Sequence, residues 1–368
     1  MEAMPKAHPA WVNVAVLGAG GTLAPAIVRE LAESEEVANM LLLDLDGDRA
    51  EALAAERGAG RAMAQAIDAG EPFELARALT GSDVLVNAAA YRVNLDAMEA
   101  CLAAGCHYID LGGLYWMTLR QLELHPRFEA AGLTALLGMG SSPGKTNLMA
   151  ALATAELGGT PAKIEVCAAG RDPSAKGRFS PPYALRTLLD ELTLPPVVLR
   201  AGEPVELDPL APGGEVDFGD PIGRADTIYT LHSELATFGE SFGAQEVSFR
   251  LSLAPELLER LIGLVGEAEE QVARAGAEAV PPSSLTTSVH LVTASTEQRS
   301  VTVRALTRPH LGLGGSIVST AAPAAAAVRL LARGKLCARG VLAPERAIDP
   351  AAMFSELEAR GCSFSVTG

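Results

Sequence analysis

Residues 18–23, Gly-Ala-Gly-Gly-Thr-Leu, follow the apolar run Val12-Asn13-Val14-Ala15-Val16-Leu17 and precede a helix-forming stretch. Glycines at 18 and 20 permit a tight turn and let backbone N–H groups approach a diphosphate at the positive end of the next helix. A side chain at Gly20 would push the phosphates away. Gly21, Thr22 and Leu23 complete the turn. Leu23 stands where the G-x-G-x-x-G pattern has its third glycine, so helix-to-strand packing is expected to be looser there, or shifted to Ala24. The next apolar run ends in Asp44. A carboxylate at that place accepts hydrogen bonds from a ribose and repels a 2′-phosphate, with Arg49 near enough in sequence to compensate. Turn and carboxylate together predict a dinucleotide cofactor, NAD in preference to NADP. Asp68, the run Asn87-Ala88-Ala89 and Gly112 extend the expected cofactor surface along successive strand ends.

Two other glycine clusters invite a chemical reading. Asp110-Leu111-Gly112-Gly113 places a carboxylate at a strand end, where it either reaches cofactor or substrate or closes an Asx-type turn. Residues 138–146 resemble a triphosphate-binding loop, but its G-x-x-x-x-G-K-[ST] spacing needs glycine at 139, where Met139 stands. ATP or GTP hydrolysis is rejected on that ground, and the segment reads as a second glycine turn that opens a helix at Pro143-Gly144. Five cysteines, at 101, 106, 167, 337 and 362, include no C-x-x-C and are odd in number. No metal site or disulfide framework is expected, only reduced and mostly buried thiols.

The elements that must position these groups alternate strand and helix. Strands are expected at residues 12–17, 40–44, 61–67, 84–90, 107–110 and 133–137. Helices are expected to begin near Pro25, after a cap at Asp46 or Asp48, before Leu79, over Asn94–Ala104 and from Pro143 to about Leu157. This pattern is an α/β, Rossmann-like, doubly wound parallel sheet with ligand at the carboxyl ends of the strands. From Thr160 the chain becomes β-rich, with strands expected at 163–169, 226–231, 246–253, 286–295 and 299–307, the last two forming a hairpin. A long helix is expected over 255–275, and the proline- and glycine-rich patch 208–223 reads as a loop or lid. Residues 1–145, completed by C-terminal helices in 316–368, form the expected dinucleotide-binding domain. Residues 146–315 form an α+β domain for substrate and self-association.

The chain has 368 residues, of which 49% are hydrophobic and 4% aromatic, and a formal net charge of −16. That charge argues against nucleic acid or an anionic membrane surface as partner and favours a small diffusible substrate. No run of about 18 apolar residues and no charged-then-apolar start are seen, so a cytoplasmic location is expected. Strands 286–295 and 299–307 would leave an exposed edge or face, which predicts a homodimer.

Several stretches resemble one family along nearly the whole chain. These are Val16-Leu17-Gly18-Ala19-Gly20-Gly21, residues 101–113, Pro143-Gly144 with Asn147, His232-Ser233-Glu234 and Gly340-Val341-Leu342-Ala343-Pro344-Glu345. They are similar to saccharopine dehydrogenase-like reductases, in particular the L-lysine 6-dehydrogenase-like branch. That resemblance implies a split nucleotide-binding domain, a substrate and dimerisation domain, and oxidoreduction at a C–N bond of an amino acid or its imine. Such chemistry needs a neutral amine, a hydride acceptor and a grip on the substrate carboxylate. His232 is the expected proton acceptor because imidazole titrates near neutrality, the alternative being a strand-end histidine satisfied in the core. Glu234 either orients that ring or binds the substrate ammonium. Asp110 and Tyr183 are secondary catalytic candidates. Arg178, Arg186, Arg224 and Arg308 are available for the carboxylate, Arg178 being carried forward, although each reads equally as a surface arginine. Segment 170–225 departs from that family's pattern and leaves substrate identity open.

Overall fold

The computed structural model describes residues 11–368 apart from Lys176 and Cys337. Residues 1–10, with the expected absence of a leader, and the Cys337 thiol lie outside the described residues. Strands Val12–Leu17 (β1), Val37–Asp44 (β2), Ala62–Ala66 (β3), Val84–Asn87 (β4), His107–Asp110 (β5) and Thr134–Leu136 (β6) form one parallel sheet. Its order is β6-β5-β4-β1-β2-β3. The order reverses beside β1, so the ends of β1 and β4 open the crevice where a doubly wound sheet takes ligand. Near-continuous apolar residues in β1 and β4 follow from helices covering both faces.

Helix Lys145–Leu157 leads into the second sheet. Its strands are Lys163–Arg171 (β7), Val197–Arg200 (β8), Glu203–Glu206 (β9), Pro212–Asp217 (β10), Arg224–Tyr229 (β11), Glu246–Ser252 (β12), Thr287–Ser295 (β13) and Ser300–Thr307 (β14). Strand β7 lies parallel to β12 and antiparallel to β13, and β13 forms the expected hairpin with β14. Two expectations fail here. Patch 208–223 is not a loop, because β10 pairs antiparallel with β11. The long helix over 255–275 is two, Pro255–Ile262 and Glu269–Glu278, broken where Gly263 follows the first and Gly266 takes φ +80°.

The segment from Gly315 onward serves both sheets. Helix Gly315–Ala332 packs on helix Ala24–Ala32 as well as on β13 and β14. It has 18 residues and a mean hydropathy of 1.4, long and apolar enough to cross a membrane by length, but 83% of it is buried inside the protein. Strand Gly340–Leu342 (β15) joins the first sheet beside β6. Strand Cys362–Thr367 (β16) does not return with it and pairs with β14 of the second sheet. The edge of β14 expected to be exposed is therefore closed by the chain's own tail. Looser packing at Leu23 is also corrected: the helix starts at Ala24, and Ala24, Ala26, Ile27 and Val28 are buried. One apolar core runs through both halves, from Val14 and Ile27 through Leu148 and Ala325 to Val166 and Val303.

Candidate active site

A cavity of about 620 Å³ separates the carboxyl ends of β4 and β5 from the second sheet. Leu23, Ala88, Ala89, Gly112 and Pro143 form its first wall; Ala168, Phe249, Leu251 and His290 form the second. The latter four share one sheet face, since Leu251 and His290 both pair with Ala168 and Phe249 lies two residues before Leu251.

The phosphate turn is built as its glycines require. Gly18 has φ +84°, and a Cβ there would stand 2.6 Å from the Ala89 nitrogen, so only glycine lets β1 and the β4 loop meet. A Cβ on Gly20 would stand 3.2 Å from both Asp44 and the Arg49 side chain. The Gly20 N–H donates to Asp44 Oδ2 at 2.8 Å, and the Asp46 N–H donates to Asp44 Oδ1 at 2.9 Å. Asp46 supplies the helix cap by accepting from the Arg49 N–H. Gly21 and Thr22 are exposed at the mouth of the turn. Such a cradle at a helix N-terminus suits a diphosphate. Asn87 and Asp68 do not reach the cavity. Asn87 is buried, donating to Asn94 and Tyr108 and accepting from the Ala89 N–H, so it shapes the loop that carries Ala88. Asp68 accepts from the Gly70 N–H in a surface turn.

His232 leaves the sheet just after β11 and precedes the short turn Ser233–Ala236, not a strand end. The Gly113 N–H donates to Ser233 Oγ at 3.3 Å, docking this turn on the end of β5. The His232 ring stacks on Phe249 with centroids 3.6 Å apart. Its Nδ1 donates to Glu234 Oε2 at 2.7 Å. Glu234 Oε1 accepts from Ser142 and Thr146, each at 2.7 Å. With 1% exposure and every contact inside the protein, Glu234 orients the imidazole and is not placed to bind an ammonium. Burial disfavours its charge, but His232 and the hydroxyl donors outweigh burial and hold Glu234 below the usual carboxyl range. Burial also disfavours the imidazolium, yet the Glu234 charge, its hydrogen bond and the nearby Glu191 raise His232 above the usual value.

Asp110 is corrected as a catalytic candidate. Its Oδ1 accepts from the Gly112 and Gly138 N–H groups, and its Oδ2 accepts from Gln121, Tyr108 and Asn94. Five donors and 1% exposure make it the buckle of the β5 and β6 turns, with the Asx bond to Gly112 as the local element. Burial still raises its pKa. Tyr183 lines the cavity and donates to Glu191 Oε2. Glu191, absent from the sequence reading, also lines the cavity and is pushed up to about 7, chiefly by burial. It lies among the buried Leu188, Leu189 and Leu192 of helix Leu185–Thr193. A carboxylate on an apolar helix face was the available signal.

Among the four arginines, Arg178 lies on the exposed cavity rim. Arg186 pairs with Glu269, and Arg224 pairs with Glu215 on the outer hairpin. Arg308 is exposed and outside the cavity lining. The cavity holds Arg171 instead, at the end of β7. His290, set aside as a strand residue, lines the cavity beside His232, and burial with the nearby Lys145 drives its pKa well down. Lys145 is buried with Nζ donating to Ser319 and Thr307. Cys101, Cys106, Cys167 and Cys362 are buried free thiols.

A doubly wound sheet with a glycine turn, closed over by a second sheet that carries an imidazole–carboxylate pair, has the architecture of a dinucleotide-binding protein. Residues 14–136 match the saccharopine dehydrogenase NADP binding domain. A carboxyaminopropylagmatine dehydrogenase of Synechocystis sp. is 27% identical over 234 residues, 61% of this chain and 57% of that protein's length. The structure of apo saccharopine dehydrogenase (L-Glu forming) from Saccharomyces cerevisiae superposes with a TM-score of 0.71 at 15% identity, covering 97% of this chain and 100% of that one. Residues 14–136 are thus similar to that family's dinucleotide-binding domain, and the chain as a whole shares the yeast protein's fold.

Proposed function

We propose that the protein is an NAD-dependent oxidoreductase acting on a C–N bond of an amino acid or its imine. The observation that carries this reading is His232, which lines the cavity with Gly112 and Pro143 and is backed from within the protein by Glu234. Gly18, Gly20, Gly21, Thr22, Leu23, Asp44, Ala88, Ala89 and Gly112 hold the cofactor, which when bound accepts hydride at its nicotinamide. Glu234 keeps the proton on Nδ1, so Nε2 faces the task of taking a proton from the substrate ammonium. A neutral amine then releases hydride from its carbon and becomes an iminium ion, which water hydrolyses. Phe249 fixes the plane of the imidazole. Tyr183 and Glu191 form a second proton-bearing pair in the same wall.

Oxidative deamination of the lysine 6-dehydrogenase type is the leading substrate reading. A dehydrogenase that makes or breaks a secondary amine is the second, favoured by the identity to the Synechocystis protein. Asp44 supports NAD over NADP, because its carboxylate stands beside Gly20 where a 2′-phosphate would be repelled. We also propose a homodimer through the second sheet, whose end strands β10 and β16 have free edges among the described residues. Solution mass at micromolar concentration tests that assembly, a monomer counting against it.

The test of function is a panel of primary amines, secondary amines and hydroxy acids, followed at the reduced-nicotinamide absorbance band. Turnover with amines supports the reading. Binding of reduced cofactor without turnover on any amine would mark a regulator instead.

A further inference from the structure

Resting on the proposed reaction, we infer that Arg171 is an anion subsite that selects amines carrying a carboxylate remote from the reacting nitrogen. Arg171 ends β7, is half-buried and lines the cavity. Its guanidinium donates only to neutral acceptors: Gly170 O at 2.8 Å, Ser252 O at 3.3 Å and Ser252 Oγ at 2.9 Å. Among the described residues no carboxylate pairs with it. The adjacent Asp172 is committed elsewhere, accepting from Ser174 and from the N–H and hydroxyl of Ser283. A cation held in a cavity wall without its counter-charge favours an anionic ligand, and the planar fork suits a carboxylate.

Position along β12 gives the spacing. The His232 ring stacks on Phe249, whereas Arg171 is tied to Ser252, three residues further on. At about 3.3 Å per strand residue these two positions on β12 lie roughly 10 Å apart along the strand, which displaces the guanidinium from the imidazole toward the strand end. Each bond of an extended chain spans about 1.2 Å, so a carboxylate several bonds from the reacting nitrogen reaches both anchors better than one on the adjacent carbon. The remote-carboxylate class therefore includes an amino acid reacting at its side-chain amine.

The experiment compares ω-amino carboxylates of increasing chain length with alkylamines of matching length, for the parent, Arg171→Gln and Arg171→Lys. Binding to the cofactor-loaded protein is read by calorimetry, and turnover is read separately. The parent is expected to bind the longer carboxylates best. Arg171→Gln should lose about 10²-fold for carboxylates and less than about threefold for alkylamines. Arg171→Lys should fall between them, guarding against a folding artefact. Equal affinity of parent and Arg171→Gln for the carboxylates, or equal losses for both ligand classes, would overturn the assignment. Arg171-dependent carboxylate binding without turnover of any amine would instead refute the proposed reaction and leave the subsite standing.

Discussion

At the scale of residues, His232 is held by three contacts of different kinds: the Nδ1 bond to Glu234, the Phe249 ring and the docking of Ser233 on Gly113. Replacing it by alanine should lower turnover by about 10²–10⁴-fold while changing cofactor affinity little. Because its pKa is raised, the acid limb of the parent rate profile should lie above about 6.5, and the variant should lose that limb. Unchanged turnover and profile would make the ring structural. Gly20→Val should weaken reduced-cofactor binding severely, since its side chain enters the space beside Asp44, while unfolding stays cooperative. Parent-like binding would mean that the phosphates lie elsewhere. The chemistry of His232 and the glycine turn was legible in sequence because residue type alone limits what each can do. Asp110 was not. Its strand-end position suits both catalysis and a buckle, and only the five converging donors decide between them.

Secondary-structure elements differ in how much of them local sequence encodes. Strand–helix alternation over 12–157 follows hydrophobic periodicity, so the first sheet was readable. The second sheet draws strands from residues 163 to 367, and no local pattern reveals that Cys362–Thr367 pairs with Ser300–Thr307. Glu191 was missed for a related reason, since helix Leu185–Thr193 sits in the one segment without a familiar motif. Its raised pKa has a defined sign. The folded state favours protonated Glu191, so its contribution is full below the ordinary carboxyl value and is lost as pH rises through about 7. Glu191→Gln should remove that slope and make the protein more stable than the parent at pH 8.5, by up to about 3 kcal/mol. Denaturant midpoints at pH 6 and 8.5 check this, and a parallel shift at both values would refute it.

Across the whole molecule, charge clusters tie the C-terminal helices to the first domain. Arg329, 2% exposed, donates to Glu356 at 2.8 Å and lies 3.6 Å from Glu30. Arg333 bridges Glu36 and Glu356, and Arg360 reaches Glu30. Removing Glu356 leaves a buried guanidinium short of counter-charge, so Glu356→Ala should cost about 3 kcal/mol. Burial opposes the ionised form of Glu356, but Arg329 and Arg333 outweigh it and depress the pKa. That stabilisation is present above the ordinary carboxyl value and fades as pH falls through the folded value. Equal stability of parent and variant at neutral pH would contradict it. Across the cavity mouth, Tyr91 and Arg92 of the first domain both meet Asp190, at 2.9 and 2.5 Å, next to Glu191. The two domains are thus clasped beside the proposed proton site. Oxidation of a C–N bond in that cavity is tested most directly by following the hydride. An amine deuterated at the carbon bearing nitrogen should deliver one deuterium to the reduced cofactor, with loss of that label from the carbonyl product. Reduced cofactor free of deuterium, formed while the product keeps its full label, would contradict the account.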